Sequence, residues 1–269
     1  MRSQRRLVSP KTGIDPAIYG VSVLKYSFYQ LNPTHTRFGV VRRTSDQATM
    51  NVGFFNGFMD EAGVDAWRAG SACTLITWDE QVNGIHLQAT VGKEPKIFDA
   101  NGLIRFNGVP ALKLENSNMD SITAIDWTND FVFYSVLKGL SSATQLFFTS
   151  DLGSGVRIAQ LIRSRWEFIT VSGSTGRASA VTQDPINLAL GISIRNLTGN
   201  KQALKINEFI SSPGLVGGNI GSQILRMGSF QGANFYANGY VSEAQLYLNG
   251  RVEKPSVVDD IKSRHSLIF

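Results

Sequence analysis

The sequence has a single cysteine, Cys73, among 269 residues, so no disulfide can form within the chain. One thiol also cannot supply the ligands of a cysteine-based metal site. No stretch approaches the roughly 18 consecutive apolar residues that a membrane-spanning helix needs. Since the basic N-terminus is not followed by the apolar segment of a secretory signal peptide, we expect synthesis in the cytoplasm without a signal peptide.

Histidine is also scarce. His35, His86 and His265 are far apart, and none has the i, i+4 partner or the neighbouring carboxylates of a transition-metal site. The sequence contains neither the alternating aspartate and asparagine ligands of a calcium loop nor the Gly-Lys-Ser/Thr of a phosphate-binding loop. We therefore expect no metal and no other cofactor.

Charged residues make up only 17% of the chain, whereas glycine occurs 26 times and phenylalanine 16 times. This composition favours many short strands joined by tight turns, that is, one all-β sandwich. The net charge of +5 is partly local, since Arg2, Arg5, Arg6 and Lys11 precede any acidic residue. We interpret residues 1–16 as a solvated basic arm, with ordering on nucleic acid or on a neighbouring subunit as alternatives, and residues 17–269 as the sandwich domain.

Short apolar segments alternate with clusters of Gly, Asn, Ser and Asp from residue 103 onward, which predicts a series of strands. They span residues 131–137, 145–149, 156–162, 166–171, 187–194, 203–209 and 244–248, and two earlier candidates span residues 38–43 and 73–78. Residues 131–137 are apolar apart from Ser135, which predicts a central strand buried on both faces. This spacing is typical of a β-sandwich.

A few segments predict other structures. Residues 59–68 begin with acidic side chains and end with Arg68, as a helix dipole prefers, so we expect one short helix there and a second at residues 255–264. Helix and strand compete at residues 17–30. The glycine-rich residues 213–222 predict a loop, and Asn219 within it is a candidate glycan contact.

Several phrases occur in the same order as in a known family. They are VVRRTSD at residues 40–46 with NVGF at 51–54, LITWDEQVNGIHLQA at 75–89, EPKI at 94–97 with GVPAL at 108–112, ILRMG at 224–228 and FYANGYVSE at 235–243. Over roughly residues 20–265 the chain resembles the non-catalytic, concanavalin A-like domains of phage and bacterial proteins. These domains are similar to the catalytic domain of fungal α-L-arabinofuranosidase B. The resemblance implies a concanavalin A-like, laminin-G-like jelly-roll β-sandwich.

The resemblance also allows a comparison of catalytic positions. A retaining glycosidase needs a nucleophile and an acid/base whose carboxyl groups are about 5–5.5 Å apart. Glu167 is loosely comparable to the family's nucleophile, but the acid/base position holds Phe230, followed by Gln231. Neither of these two side chains transfers a proton at neutral pH, so we expect no enzymatic activity. A simpler interpretation of Glu167 is a solvated or strand-edge carboxylate near Arg163 and Arg165.

Aromatic side chains offer flat apolar faces on which sugar rings can stack. Trp78 and Trp166 lie in apolar segments, which favours core packing. Trp127 is flanked by polar residues and is the best candidate for an exposed glycan contact. His86 coincides with a family phrase, and we interpret it as a hydrogen-bonded structural side chain rather than a catalytic one. The family phrase reads T-W-Y-D-Q-S-G-N-G, and Asp79-Glu80 in this sequence departs from it. The conformation of the turn at these residues therefore stays open.

The leading hypothesis is a phage virion protein, structural or tail-associated, whose lectin-like sandwich either decorates the particle or contacts host-surface glycans. We expect it to be made in the host cytoplasm and to join other virion proteins as a homo-oligomer, without a membrane span or nucleic acid. The alternative is an arabinofuranosidase-like glycoside hydrolase with relocated carboxylates, drawn from Glu167, Asp151 and Glu243. A third hypothesis is a plain glycan-binding module, which differs from the first only in its partner.

Overall fold

The structure is a computed structural model that describes residues 23–140, 145–152, 156–163, 165–172, 175–181, 189–212, 221–229, 236–250, 253–265 and 267. Antiparallel strands dominate these segments, together with two short helices, so the predicted all-β sandwich is confirmed. No helix in the described segments is long and apolar enough to cross a membrane. The predicted arm at residues 1–16 and its boundary with the sandwich lie outside the described residues.

The strands of the N-terminal half are short. They are β1 (Val23–Ser27), β2 (Arg37–Arg43), β3 (Thr49–Phe55), β4 (Phe58–Met59), β5 (Cys73–Trp78), β6 (Leu87–Ala89), β7 (Lys96–Asp99), β8 (Gly102–Leu103), β9 (Arg105–Phe106), β10 (Val109–Pro110), β11 (Leu112–Glu115), β12 (Met119–Ser121) and β13 (Ile125–Asp126).

Most strands of the C-terminal half are longer. They are β14 (Phe131–Gly139), β15 (Gln145–Leu152), β16 (Val156–Arg163), β17 (Arg165–Ser172), β18 (Thr175–Val181), β19 (Ala189–Asn196), β20 (Lys201–Ile206), β21 (Phe209–Ile210), β22 (Ser222–Met227) and β23 (Asn238–Leu248). The helices are α1 (Glu61–Arg68) and α2 (Pro255–His265).

The strands form two layers that face each other across the main core. The first layer has the order β21-β20-β19-β14-β23, and β1 and β11 lie end to end along the other edge of β23. The second layer has the order β18-β17-β16-β15-β22-β12-β6-β5-β2-β3. Strand β7 pairs with β5 and also, through Lys96 and Lys113, with β11, which joins the two layers.

Strand β14 is buried on both faces. Its residues 131, 133 and 137 lie in the main core between the layers. Its residues 132, 134 and 136 pack on the opposite face against Val257, Val258 and Ile261 of α2. Because α2 covers the outer face of the first layer, an uninterrupted apolar run fits this strand better than alternation does. The prediction of a central strand buried on both faces is confirmed.

Most of the other predicted strands are confirmed, with ends that shift by a few residues. Of residues 17–30, the part from Val23 to Ser27 is strand. The predicted strand at 203–209 is wrong in its last part, because β20 ends at Ile206 and Asn207, with φ 55°, begins a turn into β21. The sequence patterns predict neither β18 nor β22. Ser222, assigned above to a loop, opens β22, and residues 213–220 lie outside the described segments.

Both predicted helices are confirmed. Helix α1 begins at Glu61 because Asp60 caps it, and the Asp60 Oδ1 accepts the N–H of Gly63 at 3.0 Å. It ends before Ala69, whose left-handed φ of 48° stops the helix. Helix α2 ends at His265, one residue beyond the predicted end, and places its C-terminal turn next to α1 and two hairpins.

Candidate functional site

An open cleft of about 530 Å³ lies where two β-hairpins meet the two helices. This volume falls within the roughly 300–1,000 Å³ of typical small-molecule sites. Residues 55–56, 58–62, 105 and 107–109 form the walls of the cleft, and Tyr29, Arg264 and His265 contribute to its floor. Segments that are far apart in sequence therefore build one concave surface.

The two hairpins turn on the same pair of residues. Asn56-Gly57 connects β3 to β4, and Asn107-Gly108 connects β9 to β10. The φ angles are 52° and 78° in the first turn and 49° and 80° in the second. Two successive residues with positive φ make a type I′ turn, which asparagine followed by glycine favours. Both asparagines are exposed and line the cleft.

Aromatic rings form the apolar part of the wall. Phe55 is 66% exposed, although its side chain is fully apolar. Phe58 packs edge-on against Tyr29 with ring centroids 5.3 Å apart, and the guanidinium carbon of Arg105 lies 5.9 Å from the Phe58 ring centroid. An exposed ring beside fixed polar groups can accept the apolar face of a sugar.

An ion pair connects the second hairpin to helix α1 at the cleft wall. Nη2 of Arg105 donates to Oε2 of Glu61, and the side chains are 37% and 36% exposed. The pair presents donors and acceptors side by side, yet its two charges cancel. It can therefore hydrogen-bond to the hydroxyl groups of an uncharged ligand.

The C-terminal end of α2 fixes the floor. The hydroxyl of Tyr29 donates to the carbonyl oxygen of Arg264 at 2.9 Å, and the Tyr29 ring lies edge-on to His265 with centroids 5.5 Å apart. Burial raises the pKa of Tyr29, and the nearby Glu243 raises it further. The Tyr29 hydroxyl therefore stays protonated at any ordinary pH and remains a hydrogen-bond donor.

Glu243 of β23 is completely buried next to these floor residues. Its Oε1 accepts from Nη2 of Arg264 at 2.6 Å and from the amide of Gln245, and its Oε2 accepts from the Ser27 hydroxyl at 2.9 Å. Nε2 of His265 lies 2.9 Å from the same Oε2. Burial alone would raise the pKa of Glu243, but Arg264 and His265 outweigh it and hold the pKa well below its ordinary value. Glu243 is an ionised, fully hydrogen-bonded carboxylate.

Ser242, His265 and Glu243 have the chemical composition of a hydrolase triad, but their arrangement is structural. The Ser242 hydroxyl donates to the carbonyl oxygen of Pro110 at 2.5 Å and lies 3.3 Å from Nδ1 of His265. Ser242 is 1% exposed. A nucleophile has to reach its substrate, and a hydroxyl buried in a sheet and bonded to the main chain does not. The cluster ties α2 to β23.

A second buried glutamate, Glu80, lies in the family phrase at residues 75–89. Its carboxylate accepts the main-chain N–H groups of Lys25 and Val82 at 2.8 Å each and of Gly84 at 2.7 Å. The N–H of Glu80 donates to Nδ1 of His86 at 3.0 Å, so the prediction of a hydrogen-bonded structural histidine is confirmed. The turn that departs from the family phrase is ordered by its own buried carboxylate.

The structure corrects the interpretation of Glu167. Glu167 is 5% exposed, so the prediction of a solvated or strand-edge carboxylate is wrong. The reason is that β17 is not an edge strand: Glu167 is paired with Leu161 of β16 on one side and with Ala180 of β18 on the other. The adjacent Trp166 lies in the main core, as predicted.

The backbone positions of the suspected catalytic residues Asp151 and Glu167 are far apart. Asp151 is aligned through Arg157 with Val171, which is four residues from Glu167 and on the same strand. At about 3.3 Å per residue and 4.8 Å per strand, the Cα atoms of Asp151 and Glu167 are about 16 Å apart. Both glycosidase mechanisms need carboxyl groups within about 10 Å. Glu243 lies in the other layer, and residues 230–231 lie outside the described segments.

The two predicted glycan contacts have different outcomes. Trp127 is 2% exposed, so the prediction of an exposed ring is wrong. Its Nε1 donates to the carbonyl oxygen of Gln223 at 3.2 Å, and its ring packs edge-on against Phe131 at 5.3 Å, because pairing of β13 with β22 places Trp127 between the layers. Asn219 lies outside the described residues.

Sequence reasoning missed the cleft residues Phe55, Asn56, Arg105 and Asn107. A local signal was present, since the sequence Phe-Asn-Gly occurs at residues 55–57 and again at 106–108. Asparagine-glycine between apolar residues is a strong indication of a tight hairpin. That signal predicts each turn, but it does not predict that the two turns face one cleft.

The fold is similar to that of known glycosidases, although no protein-family model and no curated protein matches the chain. A GH54 α-L-arabinofuranosidase soaked with a cyclic sulfate inhibitor matches with a TM-score of 0.61 at 13% identity over 92% of this chain. An arabinofuranosidase complexed with arabinofuranosyl-α-1,2-xylobiose matches with a TM-score of 0.62 at 13% identity over 93% of this chain. This chain spans 62% and 63% of the length of those two proteins. The jelly-roll fold implied by the sequence resemblance is confirmed.

Proposed function

We propose that this chain is a non-catalytic glycan-recognition protein that decorates a virion or belongs to its tail. The observation that carries the non-catalytic part is the state of the candidate carboxylates. Glu243 is buried and its oxygens are occupied by Arg264, His265 and Ser27. The Cα atoms of Asp151 and Glu167 are about 16 Å apart, which disfavours a glycosidase pair, and the family's acid/base position holds Phe230.

The glycan part rests on the fold and on the surface it presents. Similarity to arabinofuranosidases extends over more than nine-tenths of the chain. A shared fold does not fix an activity, so the second support is the cleft, which combines an exposed aromatic ring with amide groups and a neutral ion pair. These are the groups that recognise a sugar without transferring a proton to it.

The virion part rests on the resemblance to phage domains. Its expected partners are other virion proteins and further copies of this chain. Mass photometry of the purified protein, alone and mixed with virion substructures, should give a defined oligomer and a stable complex. A monomer that does not join any substructure would contradict the virion part and favour the third hypothesis, a plain glycan-binding module.

Two assays on one preparation test the central proposal. Binding to a glycan array should give a selective signal, and incubation with 4-nitrophenyl α-L-arabinofuranoside should release no nitrophenol above a buffer control. Release that disappears in the Glu167→Gln variant, while its thermal melting stays intact, would favour the alternative glycosidase. Absence of glycan binding across the array would overturn the recognition function itself.

A further inference from the structure

The cleft between the two Phe-Asn-Gly hairpins is bounded by groups whose charges are already matched. Arg105 is paired with Glu61, and Arg264 is paired with both Glu243 and Asp260. The remaining charged residue of the walls, Asp60, is the N-cap of α1. Among the described residues, the walls thus hold two carboxylates, Asp60 and Glu61, against one guanidinium group, Arg105.

This charge balance bears on the class of ligand. A carboxylate or sulfate on a sugar would meet guanidinium groups that already have partners, and it would also meet the excess of carboxylates. Breaking the pair of Arg105 and Glu61 to bind an anion would leave Glu61 without its partner in the cleft wall. An uncharged hydroxyl can instead accept from Arg105 and donate to Glu61 while the pair stays intact.

The shape of the cleft indicates where the ligand would lie. Phe55 leaves 66% of its surface exposed at the wall, whereas Phe58 is held against Tyr29 and below Arg105. The ring of Phe55 is thus available for the apolar face of a pyranose or furanose. Asn56 and Asn107 lie in the two turns and present amide groups, which both donate and accept, at the same opening.

We propose that this cleft binds a neutral glycan, with the sugar ring stacked on Phe55 and its hydroxyl groups bonded to the Arg105–Glu61 pair and to Asn56 and Asn107. The assignment rests on the proposed recognition function and adds the location and the ligand class. It differs from the region of Glu167, Trp127 and Asn219, to which the sequence resemblance points. The two type I′ turns fix the walls, so no loop closure is required.

The first experiment is a glycan array that contains neutral arabinan, xylan, galactan and mannan oligosaccharides together with polysialic acid and polygalacturonan. The strongest neutral ligand is then titrated by calorimetry into the wild-type protein, Phe55→Ala and Phe209→Ala. Phe209 is the matched control, because it is 55% exposed on a different hairpin and does not line the cleft. We expect at least a tenfold loss of affinity for Phe55→Ala and less than a twofold change for Phe209→Ala.

A third variant tests the charge argument. Glu61→Gln leaves Arg105 without its carboxylate, so acidic glycans should gain at least threefold in affinity while the neutral ligand loses affinity. Thermal melting of each variant checks that the fold is intact, and a variant that has lost its melting transition is replaced by Phe55→Leu or Glu61→Ser.

The outcomes distinguish failure of this proposed site from failure of the proposed recognition function. Neutral binding that survives Phe55→Ala within twofold, or an array signal confined to acidic glycans, would overturn this site while the recognition function stands. If Phe55→Ala changes only the oligomeric state, Phe55 belongs to a protein interface and the site is likewise overturned. A wild-type protein that binds no glycan at all would overturn the recognition function first.

Discussion

Glu80 and Glu243 are both completely buried, but they are held in opposite ways. Glu80 accepts four main-chain N–H groups, from Lys25, Val82, Asn83 and Gly84. Glu243 instead has side-chain partners, among them Arg264 and His265. The comparison teaches that a buried carboxylate can either shape a turn or attach one element to another. Glu80 does the first, and Glu243, through Arg264, attaches α2 to the sheet below the cleft.

Glu243→Gln should cause the largest loss of stability. A glutamine amide would point an NH₂ group at Arg264, His265 or Ser27, all of which need an acceptor. Removing one partner of a buried ion pair typically costs about 3–5 kcal/mol of unfolding free energy, and we expect a loss of that size in urea unfolding at pH 7. Glu115→Gln is the control, since Glu115 is 37% exposed and paired at the surface. Losses of equal size in the two variants would contradict the attachment role.

Glu80→Gln should have a smaller but clear effect. The glutamine amide keeps one acceptor oxygen and replaces the other with an NH₂ group. Some of the main-chain N–H groups that donate to Glu80 would then be buried without an acceptor. We expect a loss of about 2–3 kcal/mol in unfolding free energy. Because the N–H groups that Glu80 accepts belong to the main chain and carry no net charge, this loss should depend little on the sodium chloride concentration. A salt-dependent loss would show that Glu80 acts through a counter-ion.

The pH dependence of stability should reveal the contribution of Glu243. The pKa of Glu243 is lower in the folded protein than its ordinary value of 4.5. Its contribution is therefore fully present above about pH 4.5 and is lost as the pH falls toward the folded-state pKa. Between pH 7 and pH 3 the wild-type protein should lose about 2 kcal/mol more than Glu243→Gln. Urea titrations at several pH values measure the difference, and parallel curves would refute it.

Gly84→Ala should give the smallest effect. Gly84 has φ 74°, and no atom of the described segments lies within 4 Å of the position that a Cβ would take. The cost is therefore conformational alone, about 1–2 kcal/mol for an L-residue in the left-handed region. Thermal unfolding measures it. A cost above that of Glu80→Gln would mean that the turn conformation, rather than the carboxylate, determines the stability of the loop.

The sequence predicts the fold well where local pattern and burial agree. Strand β14 is apolar over residues 131–137 apart from Ser135 because both of its faces are covered, and such a run is visible without any structure. The end of β20 is less visible. Its alternation continues through Asn207 toward Phe209, and the turn depends on a side-chain contact in which Oδ1 of Asn207 accepts the N–H of Leu190.

The site is harder to predict because its contacts are distant in sequence. Trp127 has polar neighbours, which indicate exposure, but its ring is buried and its Nε1 bonds to Gln223, 96 residues away. Glu243 likewise accepts a hydrogen bond from the hydroxyl of Ser27, which is 216 residues away in the sequence. Each Asn-Gly turn can be read from its own four residues, whereas the cleft exists only because two such turns and the end of α2 meet. The local sequence pattern does not predict that these three segments lie next to one another.

The pairing of β1 with β23 also determines how late during synthesis the first layer can be completed. Val23 is paired in register with Tyr247, so the first described strand has no partner on this edge until β23 has been translated. At about 5–20 residues per second, the ribosome takes about 10–45 s to make the intervening segment. During that interval Leu24 and Tyr26, which are buried in the finished molecule, lack the strand with which β1 pairs. A nascent chain of this protein completes its first layer only once β23 has left the ribosome.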